Sequence, residues 1–321
     1  FMTLIGGSII ALLGVVFSRH VLLALGTDEA VMHLSLPYVQ WMLAGSPLLF
    51  IYIIYTSILR GVGDSTTPLI ASGMTILVGL CVTPVLIAGY WGFPRLGIVA
   101  PAIASTLGFV SVLIFLYFYL GYKRHPLRLD AQMLRHIRFD RQLCQIILRL
   151  GIPTGVQMVT TSVAGLVIVG LVNRHGADAT AAYGAVNQVL NYIQFPALSI
   201  AIAASIFAAQ AIGAGKSELL SKVTRTALGM NIAITGLLVV LGYLFSKYLM
   251  ALFITDHAVV ELGQQLLFIV LWSILFFGAS AIFASIMRAS GTVTVPMIIN
   301  IVAIIAIEVP CAYLFSDCWG L

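Results

Sequence analysis

The chemistry this chain offers is concentrated in a few polar residues set into long apolar runs. Glu308 is the only acidic residue deep within such a run, NIVAIIAIEVPCAYLF. A carboxylate in hydrocarbon is costly, so residues of this kind usually face a water-filled interior and mark an ion or proton path. Pro310, two residues on, leaves a backbone carbonyl without its helical partner at nearly the same depth. A carboxylate and a bare carbonyl are oxygen ligands for a proton, a monovalent cation or a cationic organic molecule. The plainer reading is a Glu paired across helices for structure, and both readings stand at this point.

A second set is uncharged. Asn187, Asn191 and Gln194 recur at helical spacing, as do Gln157, Thr160 and Thr161 on the preceding helix, and Asn300 lies two turns before Glu308. Amides on a transmembrane helix avoid lipid, so these faces point inward. For any one of them a structural hydrogen bond between helices is the expected role; as a group their carbonyl dipoles suit a cation. The aromatic and Met side chains Trp41, Met42, Tyr52, Tyr55, Phe195, Trp272 and Met287 offer stacking surfaces for flat cations, although most such residues simply pack or face lipid. The six His residues and Cys81, Cys144, Cys311 and Cys318 have no metal-ligand spacing. No nucleophile with a base is visible, and the GVGDS stretch has no P-loop lysine. No metal site, no cofactor and no enzymatic activity are expected.

The elements that must position these residues are transmembrane helices. The chain is 61% hydrophobic and 8% charged, with mean hydropathy +1.09, whereas about a quarter of the residues of a soluble domain are charged. A net charge of +5 would suit nucleic acid, but the basic residues fall in loops and no basic helix face recurs, which excludes that partner. About nine apolar segments reach the roughly 20 residues that span a bilayer: Met2 to Ala24, Leu34 to Leu59, Pro68 to Tyr90, Gly97 to Tyr122, Cys144 to Val172, Ala182 to Ile212, Val223 to Phe253, Leu262 to Met287 and Pro296 to Phe315. The hydrophilic stretch 122–143, with Lys123, Arg124, Arg128, Arg135, Arg138 and Arg141, is predicted to be cytoplasmic. Alternating the spans from it places Arg60, Arg149, Lys216, Lys222, Arg225 and Arg288 on the same side.

The chain also repeats itself. YTSILRGVGDSTTPLI from Tyr55 returns as FASIMRASGTVTVPMI from Phe283, with Ser57, Arg60, Gly63, Thr66 and Pro68 matched by Ser285, Arg288, Gly291, Thr294 and Pro296 at one offset of 228. The same offset aligns LGVVFSRHVLLALGTDEAVMHL from Leu13 with LGYLFSKYLMALFITDHAVVEL from Leu241. Duplication of a unit this long is the architecture of two-lobed transporters. The expected fold is all-α and polytopic: first-lobe helices over 1–121, a cytoplasmic linker over 122–143 and second-lobe helices over 144–321. Projecting the period beyond both ends gives six helices in each pseudo-symmetric lobe. That is about nine present of an expected twelve, with two preceding residue 1 and one following Leu321.

These residues resemble the multidrug and toxic compound extrusion (MATE) family of cation-coupled efflux transporters. The resemblance rests on RGVGDSTTP at Arg60 to Pro68, its echo RASGTVTVP at Arg288 to Pro296, LGIP at Leu150 to Pro153 and AAQAIGAGK at Ala208 to Lys216. It implies two six-helix lobes, a central cavity open to alternate sides, and export of organic cations or drugs in exchange for H⁺ or Na⁺ across the plasma or inner membrane. A monomer in the lipid bilayer is expected. Arg60, Gly63, Asp64 and Pro68, with Arg288, Gly291 and Pro296, are then a cytoplasmic gate or, more simply, helix stops, tight turns and positive anchors. The chain departs from the Na⁺-coupled branch, which has a Glu in the helix after LGIP and an Asp in the third-from-last helix. Here Thr160 and Thr161 stand near the first place, and 262–287 has no acidic residue.

Two other readings compete. A flippase for pyrophosphate-linked lipid precursors has a related fold but should carry arginines within its cavity, and here each Arg maps to a loop or helix end. A truncated membrane fragment without transport activity is the other.

Overall fold

The computed structural model describes residues 2–24, 29–92, 94–125, 127–128 and 140–319. The middle of the basic linker, with Arg135, His136 and Arg138, lies outside them, and the side chains of Trp91, Cys318 and Trp319 are likewise not described. All regular elements among the described residues are helical. The chain divides into two compact units, Phe1–Cys144 and Gln145–Leu321.

Unit 1 contains α1 (Met2–Ala24), α2 (Glu29–Ala44), α3 (Ser46–Gly61), α4 (Thr66–Ala88) and α5 (Ala100–Tyr122), with single 3₁₀ turns at Tyr90–Gly92 and Gly97–Val99. Its core joins α3, α4 and α5 through Leu59, Ala71, Val112, Leu116 and Leu120, all fully buried, with Tyr52 and Tyr55 packed against them. The Tyr52 hydroxyl meets Ser72 Oγ at 2.9 Å. Tyr55 donates to the carbonyl of Leu127 at 2.6 Å, which ties the start of the linker to α3. Both tyrosines are therefore engaged in packing within the unit.

Unit 2 contains α6 (Arg141–Asn173), α7 (Ala177–Gly213), α8 (Leu219–Leu244), α9 (Ser246–Ala251), α10 (His257–Val270), α11 (Ser273–Ala289), α12 (Thr294–Ala303), a single π turn (Ile304–Glu308) and α13 (Val309–Trp319). The 37-residue α7 is the hub. One face, Ala185, Val186, Val189, Leu190 and Ile193, packs on α8, α9, α10 and α11 through Val239, Met250, Val260, Leu267 and Ile274. Further along, Ala201 and Ala204 meet Ala227 and Ile282. Outward side chains are apolar as well: Leu80, Leu166, Ile232 and Phe276 are about two-thirds exposed, which is inexpensive where the solvent is lipid.

Among the described residues seven helices are long and apolar enough to cross a membrane, or nine if each of two bent pairs is one span. Those pairs are α2 with α3, bent by 42°, and α10 with α11, bent by 47°. The expected spans Leu34 to Leu59 and Leu262 to Met287 are thus each two helices. The expected span Val223 to Phe253 is likewise interrupted at Phe245, between α8 and α9. Hydropathy averages over such breaks because the helices on either side of them are largely apolar.

The repeat reappears in the helix limits. Glu29, Thr66 and Gly61 in unit 1 correspond, at the 228 offset, to the first residues of α10 and α12 and the last of α11. Packing repeats too. A Cβ on Gly14 would press on Leu43, and one on Gly242 would press on Leu271 at the matching place. Elsewhere size is exchanged: Gly7 on α1 lies against Phe50 on α3, whereas their counterparts are Thr235 on α8 and Gly278 on α11.

Candidate functional site

The two RGxG turns are built alike. In the first, the amides of Val62, Gly63 and Asp64 donate to the carbonyls of Ile58, Arg60 and Leu59; in the second, Ser290, Gly291 and Thr292 donate to Ile286, Arg288 and Met287. Gly63 and Gly291 have φ of 94° and 83°, a conformation that a side chain disfavours. Arg60 and Arg288 each reach back 3.2 Å to the serine one turn earlier, Ser57 and Ser285. Asp64 accepts the Thr67 amide at 3.0 Å and the Thr67 hydroxyl at 2.5 Å, satisfying a free donor at the start of α4. Thr292 stands in its place in the second turn. Pro68 and Pro296 are buried in the first turns of α4 and α12, each in the third position of its helix, where the missing N–H has no intrahelical partner to lose.

In unit 2, α6 and α12 bring polar residues together. The Thr161 hydroxyl lies 3.3 Å from Asn300 Oδ1, so Asn300 pairs across helices and not with Glu308. The separation explains this: eight residues along a helix amount to about 12 Å. Gln157, one turn before Thr161, is half-buried, and its carbonyl accepts the Thr161 hydroxyl at 3.0 Å. Glu308 is exposed on the surface of its unit and makes no side-chain hydrogen bond or ion pair among the described residues. It closes the π turn Ile304–Glu308. A π turn holds one more residue than an α turn, so the eight-residue step from Asn300 to Glu308 projects as about seven, or two turns of 3.6. The turn therefore brings Glu308 back in line with Asn300. Pro310 follows directly, and its ring would clash with the carbonyl four residues earlier in a regular helix, which is Ala306 inside the π turn.

The amide face of α7 runs beside its buried face. Asn187 and Gln194 are half-buried and Asn191 is exposed. None of the three forms a side-chain hydrogen bond among the described residues. The helix buries its Ala, Val and Leu positions against α8, α10 and α11, and the amides lie off that face. Gln188, exposed one turn before Asn191, extends the same face; its three-residue spacing was the signal that sequence reasoning passed over.

A cavity of about 410 Å³ lies among α6, α7, α10 and α13. Ile168, Leu171, Leu266 and Phe315 form apolar walls, and His175, Tyr183 and Ser316 supply polar points. The His175 ring is fixed by a 3.1 Å contact between Nδ1 and the Leu171 carbonyl. Tyr183 stands one turn before Asn187 on α7, a spacing that connects the cavity to the amide face. Apolar walls with a few polar points are what a small-molecule pocket requires.

Another polar group missed from sequence is structural. Asn231 is fully buried on α8, accepts the Thr235 hydroxyl at 3.0 Å and donates to the Leu275 carbonyl at 3.3 Å. It fills the space that a side chain at Gly278 would need.

The MatE family model matches residues 1–85 and 153–314. The probable multidrug resistance protein YoeA of Bacillus subtilis is 40% identical over 314 residues, covering 98% of this chain and 68% of that protein. The FAD transporter of Shewanella oneidensis is 25% identical over 308 residues, covering 95% and 67%. Among solved structures, the Vibrio cholerae MATE transporter VcmN matches with a TM-score of 0.89 at 20% identity, covering 99% of this chain and 71% of that one. A transporter from Pyrococcus furiosus described as having a binding pocket of reverse polarity matches with a TM-score of 0.86 at 21% identity, covering 99% and 70%.

Proposed function

Because this chain belongs to the MatE family of multidrug efflux transporters, we propose that it is a secondary antiporter, exporting organic cations in exchange for H⁺ or Na⁺ by alternating access. The observation that carries the reading is the polar line of unit 2. Thr161 meets Asn300, and the π turn sets Glu308 in line with them. A carboxylate and uncharged oxygens favour a cation, and one carboxylate that accepts either a proton or a cation makes the two compete, as exchange requires. The cavity beside Tyr183 and His175 supplies the apolar walls for a flat organic ligand. The amides Asn187, Asn191 and Gln194, without side-chain partners among the described residues, line hydrated space, since amides avoid lipid. The basic linker lies in the cytoplasm by its charge.

Glu308→Gln keeps the shape of the side chain and removes its titration. In the full-length protein, wild-type drug binding should weaken as pH falls, by a coupling of about 5- to 150-fold. In the variant that ratio should collapse to about one, with loss of efflux measured in cells lacking other pumps. Repeating the titration at fixed pH with Na⁺ in place of acid tells the two coupling ions apart. Wild-type efflux with unchanged pH and Na⁺ dependence in Glu308→Gln would sink the proposal.

A further inference from the structure

A second cavity in unit 2 is lined by none of these residues. It is a groove of about 500 Å³ between the second half of α7 and the first half of α8. Small side chains open it, Ala203, Ala204 and Ala227, and Ile200, Phe207 and Met230 wall it. Lys222 is its only charged lining residue, with Ser199 and Thr226 the only other polar side chains. Both helices are long and apolar enough to cross a membrane, so a groove running along them from the first turn of α8 would pass from the headgroup level into hydrocarbon.

Lys222 stands in the first turn of α8. From there the apolar floor runs to Met230, eight residues or about 12 Å along the helix, within a hydrocarbon layer about 30 Å thick. The approach to α8 and its first two turns are basic: Lys216, Lys222 and Arg225 against Glu218. Lys222 is exposed and forms no ion pair among the described residues. One cation at the end of an apolar trough repels organic cations, so the groove does not suit the proposed substrates. It suits an anion with a hydrocarbon tail.

We propose that the groove between α7 and α8 holds an anionic phospholipid, its phosphate on Lys222 and one acyl chain over Ala203, Ala204 and Ala227 toward Met230. Basic pockets between membrane helices bind lipid headgroups in this way, and the long lysine stem reaches the headgroup level while lying along apolar surface. This goes beyond the transport reading and does not depend on it. The lipid would fasten α8 to α7, the hub of unit 2.

The test titrates the purified full-length protein in detergent with dioleoyl phosphatidylglycerol or dioleoyl phosphatidylcholine and reads bound lipid by native mass spectrometry. The wild type should retain phosphatidylglycerol preferentially. Lys222→Gln should bind it about fivefold more weakly, the effect of one basic residue near the surface, and Lys222→Arg should restore the preference. Ala203→Trp, which fills the groove from an exposed position, should reduce retention of both lipids. Unchanged phosphatidylglycerol binding in Lys222→Gln would overturn the proposal. So would full retention in Ala203→Trp, which would leave only charge at the membrane surface, or displacement of the lipid by inorganic phosphate at matched concentration, which would mean that the chain is not bound.

Discussion

Partial burial pushes Asp64 toward its neutral form, but the Thr67 hydroxyl, the amides of Thr67 and Thr66 and the charge of His125 outweigh it and hold its pKa below the ordinary aspartate value. A pKa lowered by folding contributes stability that is present above the unfolded value and lost as pH falls through the folded one. Asp64→Ala should therefore cost about 1 kcal/mol at neutral pH, the value of a helix cap. The gap between variant and wild type in denaturant unfolding should close below about pH 4. Gly278 is a second test at this scale. Its space belongs to Asn231, which hydrogen bonds hold on two sides, so Gly278→Ala should destabilise by about 1–3 kcal/mol through overpacking. In the double variant with Asn231→Ala the two costs should be less than additive. The Asn231–Gly278 fit was not legible in sequence: Thr235 stands one turn on along α8, but only the approach of α11 supplies the Leu275 carbonyl and the space at Gly278.

Among the elements, the helix carrying Glu308 is the most informative. Its counterpart α4 is a continuous helix over Thr66–Ala88, while the second copy passes through α12, a π turn and α13. Both copies have the same number of residues across this stretch, since the 228 offset still holds at Trp91 and Trp319. The extra residue in the turn is thus a change of winding, not an insertion. Deleting one residue from a regular helix rotates all that follows by about 100°, but deleting one from a π turn restores α winding and leaves the flanks in register. Removal of Ala306, with Pro310→Ala to relieve the ring, should preserve folding and efflux. Removal of Val78, the matching residue in α4, should abolish both in the same expression and efflux assay. The sequence placed a carboxylate near a proline at mid-span; the winding that aims it depends on the backbone and leaves no mark in hydropathy.

For the molecule as a whole, the internal repeat made the helix limits readable, because RGVGDSTTP and RASGTVTVP end and begin the same helices. The pairing of polar side chains was not readable, since it depends on which helices adjoin: of the amides singled out, Asn300 found Thr161 and the three on α7 found no partner among the described residues. The bends are the clearest case of shape kept without residues. The break between α2 and α3 falls at Gly45, with Ser46 and Pro47 opening α3, and glycine and proline account for it. At the matching place, the start of α11, the residues are Ser273, Ile274 and Leu275. There the Ser273 hydroxyl donates to the Val270 carbonyl at 2.6 Å, and a side chain entering the backbone ladder bends the helix instead. The bends nevertheless measure 42° and 47°. The two halves reach nearly one angle with different side chains, so what they share here is the geometry and not the residues that make it.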